Sequence, residues 1–177
     1  MTTNWTAPTV ERIDPDPISG EREALEQWLD YHRTTLLMKC AGLTAIQLTA
    51  RSVPPSTMSL LGLVRHMVEV ERWWFRIYAD GQDLAPPYST DGDQDADFDG
   101  AAEDGAESDL ATFQREVQAA REAVAGKGLD DVVPSRGDHP LQPRDIRWIY
   151  VHMIEEYARH NGHADLIRER IDGATGD

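Results

Sequence analysis

The chain has 177 residues, 40% of them apolar, a formal charge of −15 and a single cysteine, Cys40. Its length and apolar content suit one domain with a full hydrophobic core, and one cysteine excludes both an internal disulfide and a cysteine-cluster metal site. The acid excess argues against nucleic acid and anionic lipid as partners, because phosphates are drawn to basic patches.

Residues 1–20, with Pro8, Pro15 and Pro17, read as an extended arm. The arm has no basic patch followed by an apolar block, and no apolar run in the chain is long enough for a membrane, so a cytoplasmic protein is expected. From Glu21, Leu25, Leu29, His32, Leu36, Cys40 and Leu43 recur at spacings of three and four, which predicts a first helix that fades before Pro54-Pro55. Ser59 is the N-cap expected for a second helix through Ala79. Residues 80–107, rich in Asp, Gly, Pro and Ala, predict a long acidic surface loop or a partly disordered insertion. A third helix is expected from Ser108 to Ala125, with Leu110, Phe113, Val117, Ala120 and Val124 on one face and Gly126 and Gly128 closing it. After a connection over 129–142, Pro143 falls in the first turn of a fourth helix that runs to Ile171 and stops at Gly173. Four amphipathic helices and no convincing strand give an all-α fold, a four-helix bundle that forms a single domain over residues 21–173.

Polar residues interrupt two of the expected inward stripes. On the second helix Leu63, His66, Val70, Trp73 and Ile77 form one line, and on the fourth Ile149, Met153, Glu156, His160, His163 and Ile167 form another. Burying such groups without partners costs about 1 to 3 kcal/mol each, against a net domain stability of about 5 to 15 kcal/mol. A divalent cation would satisfy several at once. Residues at i and i+4 lie about 40° apart on a helix, so Glu156 and His160 can converge on one point. His66 from a facing helix would then complete three protein ligands with an open position, the pattern of catalytic zinc. Spacing leaves the set open: His152 with Glu156, or Glu156 with His163, can also chelate, and His32 on the first helix faces inward as a further ligand or supporting group. The competing reading is a metal-free network in which Arg159 or Tyr157 satisfies the same side chains. Zinc is preferred from the ligand types, and nickel, iron and manganese suit the same donors.

Two segments carry a family resemblance: Leu63-Val-Arg-His66-Met-Val-Glu-Val-Glu-Arg-Trp-Trp74 and Arg147-Trp-Ile-Tyr-Val-His-Met-Ile-Glu-Glu156-Tyr-Ala-Arg-His160-Asn-Gly-His163-Ala-Asp165. They resemble the DinB superfamily of metal-binding four-helix bundles, and within it the actinobacterial branch with mycothiol-dependent maleylpyruvate isomerase and mycothiol S-transferases. Helix order and the long second-to-third connection agree, so the resemblance covers most of the chain from Glu21 to Gly173. It implies a metal held by one histidine of the second helix and an i, i+4 pair of the fourth. Many members have histidine at both positions of that pair; here the first is Glu156, as in the isomerase branch. The implied ligands are therefore His66, Glu156 and His160. His163 stands where many relatives have glutamine, which puts it beside the metal.

The implied chemistry is thiol transfer, in which the metal activates a low-molecular-weight thiol such as mycothiol for attack on an electrophile. The expected partners are thus a small-molecule thiol and an electrophile. A homodimer is compatible with such bundles, though no apolar patch in the sequence selects it. The alternative from another class is a non-catalytic metal-binding bundle that serves a stress response or holds a ligand. Two further signals weigh less. Cys40 sits in a core stripe and reads as an inert thiol. Asp95, Asp97, Asp99 and Gly100 nearly fit a calcium loop, but its twelfth position is Ala106, so a solvated acidic loop is expected.

Overall fold

A computed structural model of the chain describes residues 5–134 and 142–176. Its elements in order are α1 (Glu21–Cys40), α2 (Ala45–Leu48), α3 (Leu60–Glu71) continued by a π-helix (Arg72–Ala79), α4 (Ala96–Asp99), a 3-10 turn (Glu103–Gly105), α5 (Ala106–Val124), β1 (Val132–Val133), β2 (Arg144–Asp145) and α6 (Ile146–Asp172). The fold is all-α, and α1, α3 with its π extension, α5 and α6 are the four helices of the bundle. Among the described residues no helix is long and apolar enough to cross a membrane.

Side-chain pairs give the topology. Glu21 meets Arg147, His32 meets Asn161 and Lys39 meets Asp165, so α1 and α6 run parallel. His66 lies against His160 and Glu71 bonds Tyr157, so α3 is antiparallel to α6. Arg65 pairs with Asp109 and Arg76 with Glu116, which makes α3 and α5 parallel. Two consecutive long helices pointing the same way need a connection that travels the length of the bundle. Residues 80–105 supply it.

The helix ends follow local chemistry. The Ser59 hydroxyl accepts from Gly62 N–H at 3.1 Å, as its position before the apolar run predicts. Asp145, not the Pro143 region, starts α6 by accepting from Trp148 N–H at 2.7 Å. Pro143 therefore precedes the helix instead of occupying its first turn. Gly173 ends α6 with φ of +80°, a conformation that a side chain would disfavour. The extended arm is tied down: Ala7 exchanges backbone hydrogen bonds with Leu43 and Gly42, both at 2.8 Å.

Three further sequence expectations are corrected or refined. β1 and β2 pair antiparallel, Val132 opposite Asp145 and Val133 opposite Arg144. Two-residue strands are too short to show alternation, and residues 135–141 of the expected connection lie outside the described residues. The acidic segment is a long and largely exposed connection, as expected, but it is partly ordered. It folds into α4 and the 3-10 turn, α4 packs on α3, and Arg65 holds it by donating to the carbonyls of Asp97 and Ala96 at 2.8 and 2.9 Å. The third correction concerns the stripes. α3 is apolar nearly all round and buries Leu60, Leu61, Leu63, Val64, Met67 and Val68, while His66, Val70, Trp73 and Ile77 are only partly buried. On α6 the core line is Ile149, Met153, Tyr157, Asn161, Ala164 and Ile167, and Glu156, His160 and His163 lie one step around, at its edge.

Among the described residues the core holds an ion pair buried on both sides. Arg33 donates Nε to Glu71 Oε1 at 2.7 Å and Nη2 to Oε2 at 2.6 Å, and Tyr157 OH donates to Oε1 at 2.7 Å. Glu71 is fully buried, so these three donors replace its water. They lock α1, α3 and α6 in register one residue from Glu156.

Candidate metal centre

α3 and α6 cross so that His66 faces Glu156 and His160. Each of the three offers a ligand-type atom, and these atoms lie within 4.8 Å of one another. The His66 and His160 ring centroids are 4.8 Å apart, and His160 Nε2 is 3.5 Å from Glu156 Oε2.

Asp97 sets the orientation of His66. It is buried in α4, with Oδ2 at 2.8 Å from His66 Nδ1 and Oδ1 accepting from Phe98 N–H at 2.8 Å. A carboxylate at Nδ1 makes that nitrogen the donor, which leaves the lone pair on Nε2 for a ligand. Phe98 stacks on the same ring at 4.6 Å and an interplanar angle of 23°. The sequence reading missed Asp97 because it stands in a run of acids. The signal that could have found it is Phe98, the one large apolar residue among 91–107.

His160 meets the requirements of a ligand. Its pKa is pushed down to about 4, first by burial and then by the neighbouring His66, His163 and Arg159. At neutral pH the ring is therefore uncharged. Its Nδ1 is buried with no hydrogen-bond partner among the described residues. The partners that a metal-free network would use are engaged elsewhere: Tyr157 OH is on Glu71, and Arg159 pairs with Glu155. No close hydrogen bond joins Glu156 to His160, whose Nε2 is 3.5 Å from Oε2, and a divalent cation would satisfy the three groups at once. Two imidazoles and a carboxylate form a donor set that suits zinc.

A profile described as Mycothiol-S-transferase matches residues 24–173. The chain belongs to the mycothiol-S-transferase family. This is the DinB-like branch that the two motif segments resemble, and it places the chain among thiol-transferring enzymes with a small-molecule thiol as substrate. No curated protein matches the chain.

The other histidines of this mycothiol-S-transferase family member have different surroundings. His152 stacks on Trp148 at 4.8 Å and meets the Trp74 edge at 4.7 Å. Its Nε2 is 3.5 Å from Glu156 Oε1, so the two oxygens of Glu156 face two histidines. With Glu155 and Glu156 it forms a second group of ligand-type atoms within 4.8 Å. His163 packs edge-on against His160 at 5.5 Å, and its Nδ1 is buried without a partner among the described residues. His32 lies in a separate cavity between α1 and α6, where Asn161 Nδ2 is 3.4 Å from its Nδ1. The structure does not bring His32 to the triad. Cys40 is buried, and burial pushes its thiol up to about 12, which makes it unreactive at neutral pH.

A cleft of about 640 Å³ opens beside His66, between the π-helix and the crossover connection. Trp73, Trp74 and Ile77 reach it from the π-helix, whose Asp80 N–H bonds the Phe75 carbonyl five residues back at 3.2 Å. No pattern in the sequence marks these wide turns, which recur at functional sites in proteins.

Proposed function

We propose that the protein is a divalent-metal-dependent S-transferase that conjugates a low-molecular-weight thiol, mycothiol or a close relative, to an electrophile. The observation that carries this reading is the convergence of His66, Glu156 and His160, with Asp97 behind His66, at the side of an open cleft in a mycothiol-S-transferase family chain. His66, Glu156 and His160 would hold the metal, zinc by preference, while His163 and His152 flank it.

Bound zinc supplies Lewis acidity, which lowers the pKa of a thiol that reaches it. The chain's own residues do the remaining work. Asp97 keeps the His66 ring in one tautomer, burial keeps His160 unprotonated, and Glu156 brings the negative charge that offsets part of the cation's. Three protein ligands leave a position for the thiol. In the net reaction the S–H proton is released, a C–S bond forms, and the leaving group departs with its electron pair. Where the electrophile is an activated double bond, the proton ends on carbon. We assign the chain to the cytoplasm, with residues 21–173 acting as one domain.

The test pairs two measurements on untagged protein that has met no nickel column: elemental analysis, and conjugation of mycothiol to a fluorogenic electrophile. About one metal per chain in wild type, none in His160→Ala, and turnover only in the former are expected. Absence of metal in wild type after zinc is offered refutes the reading. Bound metal without turnover leaves a non-catalytic metal-binding bundle.

A further inference from the structure

We infer that the cleft beside His66 selects an electrophile with a flat, uncharged apolar body and rejects one that carries an anionic group there. This rests on the S-transferase reading for the word electrophile, while the binding preference stands on the cleft itself. Its volume of about 640 Å³ falls in the range of small-molecule sites.

One wall is aromatic and braced. The Trp74 ring is held edge-on by Tyr78 at 5.4 Å and His152 at 4.7 Å, and lies against Trp148 at 5.4 Å. Trp73 and Ile77 extend the same wall. Pro86 and Pro87 also line the cleft, and the chain on both sides of them is clamped. Arg72 Nη1 donates to the Ala85 carbonyl at 3.0 Å, and Glu69 Oε1 accepts from Tyr88 and Ser89 N–H at 2.8 and 2.6 Å. A cleft whose apolar wall is already ordered favours a rigid flat ligand on that wall, since little freedom remains to be lost.

The charges point the same way. The lining holds three carboxylates, Glu69, Asp91 and Asp97, against one guanidinium, Arg72. Arg72 gives Nη2 to Glu116 at 2.7 Å and Nη1 to the Ala85 carbonyl, and its Nε, without a partner among the described residues, is buried out of a ligand's reach. Among the described residues the lining therefore offers an anion no uncommitted cation, and Asp91 stands exposed at the rim to repel one.

The experiment measures equilibrium binding to zinc-loaded full-length protein, without thiol, of two probes that share one flat ring system. They are N,N-dimethyl-2-naphthalenesulfonamide and 2-naphthalenesulfonate, an anion that ligates zinc poorly. The neutral probe is expected to bind at least tenfold more tightly. Trp73→Ala, or Trp73→Leu if the first variant unfolds by circular dichroism, should weaken the neutral probe several-fold. Asp91→Lys, on an exposed segment, should raise affinity for the sulfonate and leave the neutral probe unchanged. Equal or tighter sulfonate binding, or neutral binding indifferent to Trp73, overturns the inference. Failure of the S-transferase reading looks different: probe binding persists while thiol conjugation is absent.

Discussion

Replacing Asp97 by Asn or Ala should weaken zinc binding without dismantling the bundle. In the folded chain Asp97 accepts from His66 Nδ1 at 2.8 Å while buried, so the pair is a charge-assisted hydrogen bond shielded from water. Such bonds contribute about 1.5 to 3 kcal/mol. Carboxylates behind metal-bound histidines typically account for about 10 to 100-fold in metal affinity, or about 1.4 to 2.8 kcal/mol. The two estimates agree, and Asp97→Ala should fall toward the upper end. Asp97→Asn should fall toward the lower, because an amide oxygen still accepts the Nδ1 proton but no longer raises the basicity of Nε2. The assay is competition with a chromophoric zinc chelator at pH 7, with the melting temperature of the metal-free form as a control. Wild-type zinc affinity in Asp97→Ala, with the fold intact, would refute the argument that this contact orients His66.

Three further outcomes follow from other contacts. Glu71→Ala leaves Arg33 buried without its counter-ion and should cost about 3 to 5 kcal/mol in urea denaturation; a loss under 1 kcal/mol would mean that water enters the core there. The metal-free protein should lose stability as pH falls from about 6.5, the ordinary histidine value, towards the folded-state value of about 4 for His160. Across that window the unfolded chain takes up a proton at His160 that the folded chain refuses, so the slope should flatten in His160→Gln. Glu69→Ala removes the acceptor of the Tyr88 and Ser89 amides and of the Ser89 hydroxyl, and hydrogen exchange at those two amides should accelerate at least tenfold while α5 amides are unaffected.

Helix positions were legible because apolar spacing and capping residues act locally. Ser59 and Gly173 occupy the ends that their chemistry predicts, and Phe113, Val117, Ala120 and Val124 are buried as their spacing requires. The orientation of the second helix was not legible. With Leu60, Leu61, Leu63, Val64, Met67 and Val68 all apolar, several stripes fit the core equally well, and the one that includes His66 and Trp73 borders the cleft. On α6, Tyr157 and Asn161 hold the core line that spacing alone gave to Glu156 and His160, because each finds a partner on another helix, Glu71 for one and His32 for the other. His66, Glu156 and His160 lie together in space even so, since a shift of one step around α6 keeps an i, i+4 pair together and near α3. Asp97, Glu69 and the π-helix lay beyond reach. Each gains its role from a contact distant in sequence.

The crossover connection has a consequence for how such a protein can diversify. Two of the four long helices, α3 and α6, supply the triad, yet residues 85–97 bring both the Asp97 contact to His66 and part of the cleft wall. A change of length or sequence between Pro86 and Gln94 would reshape what the cleft admits and leave the helices untouched. The same change would pull on Asp97 three residues beyond Gln94, and so on the ring that it orients. New specificity is therefore tied to retention of one carboxylate at one distance from α3. A connection grafted from a relative would keep the His66 ring oriented only if its own acid reaches Nδ1.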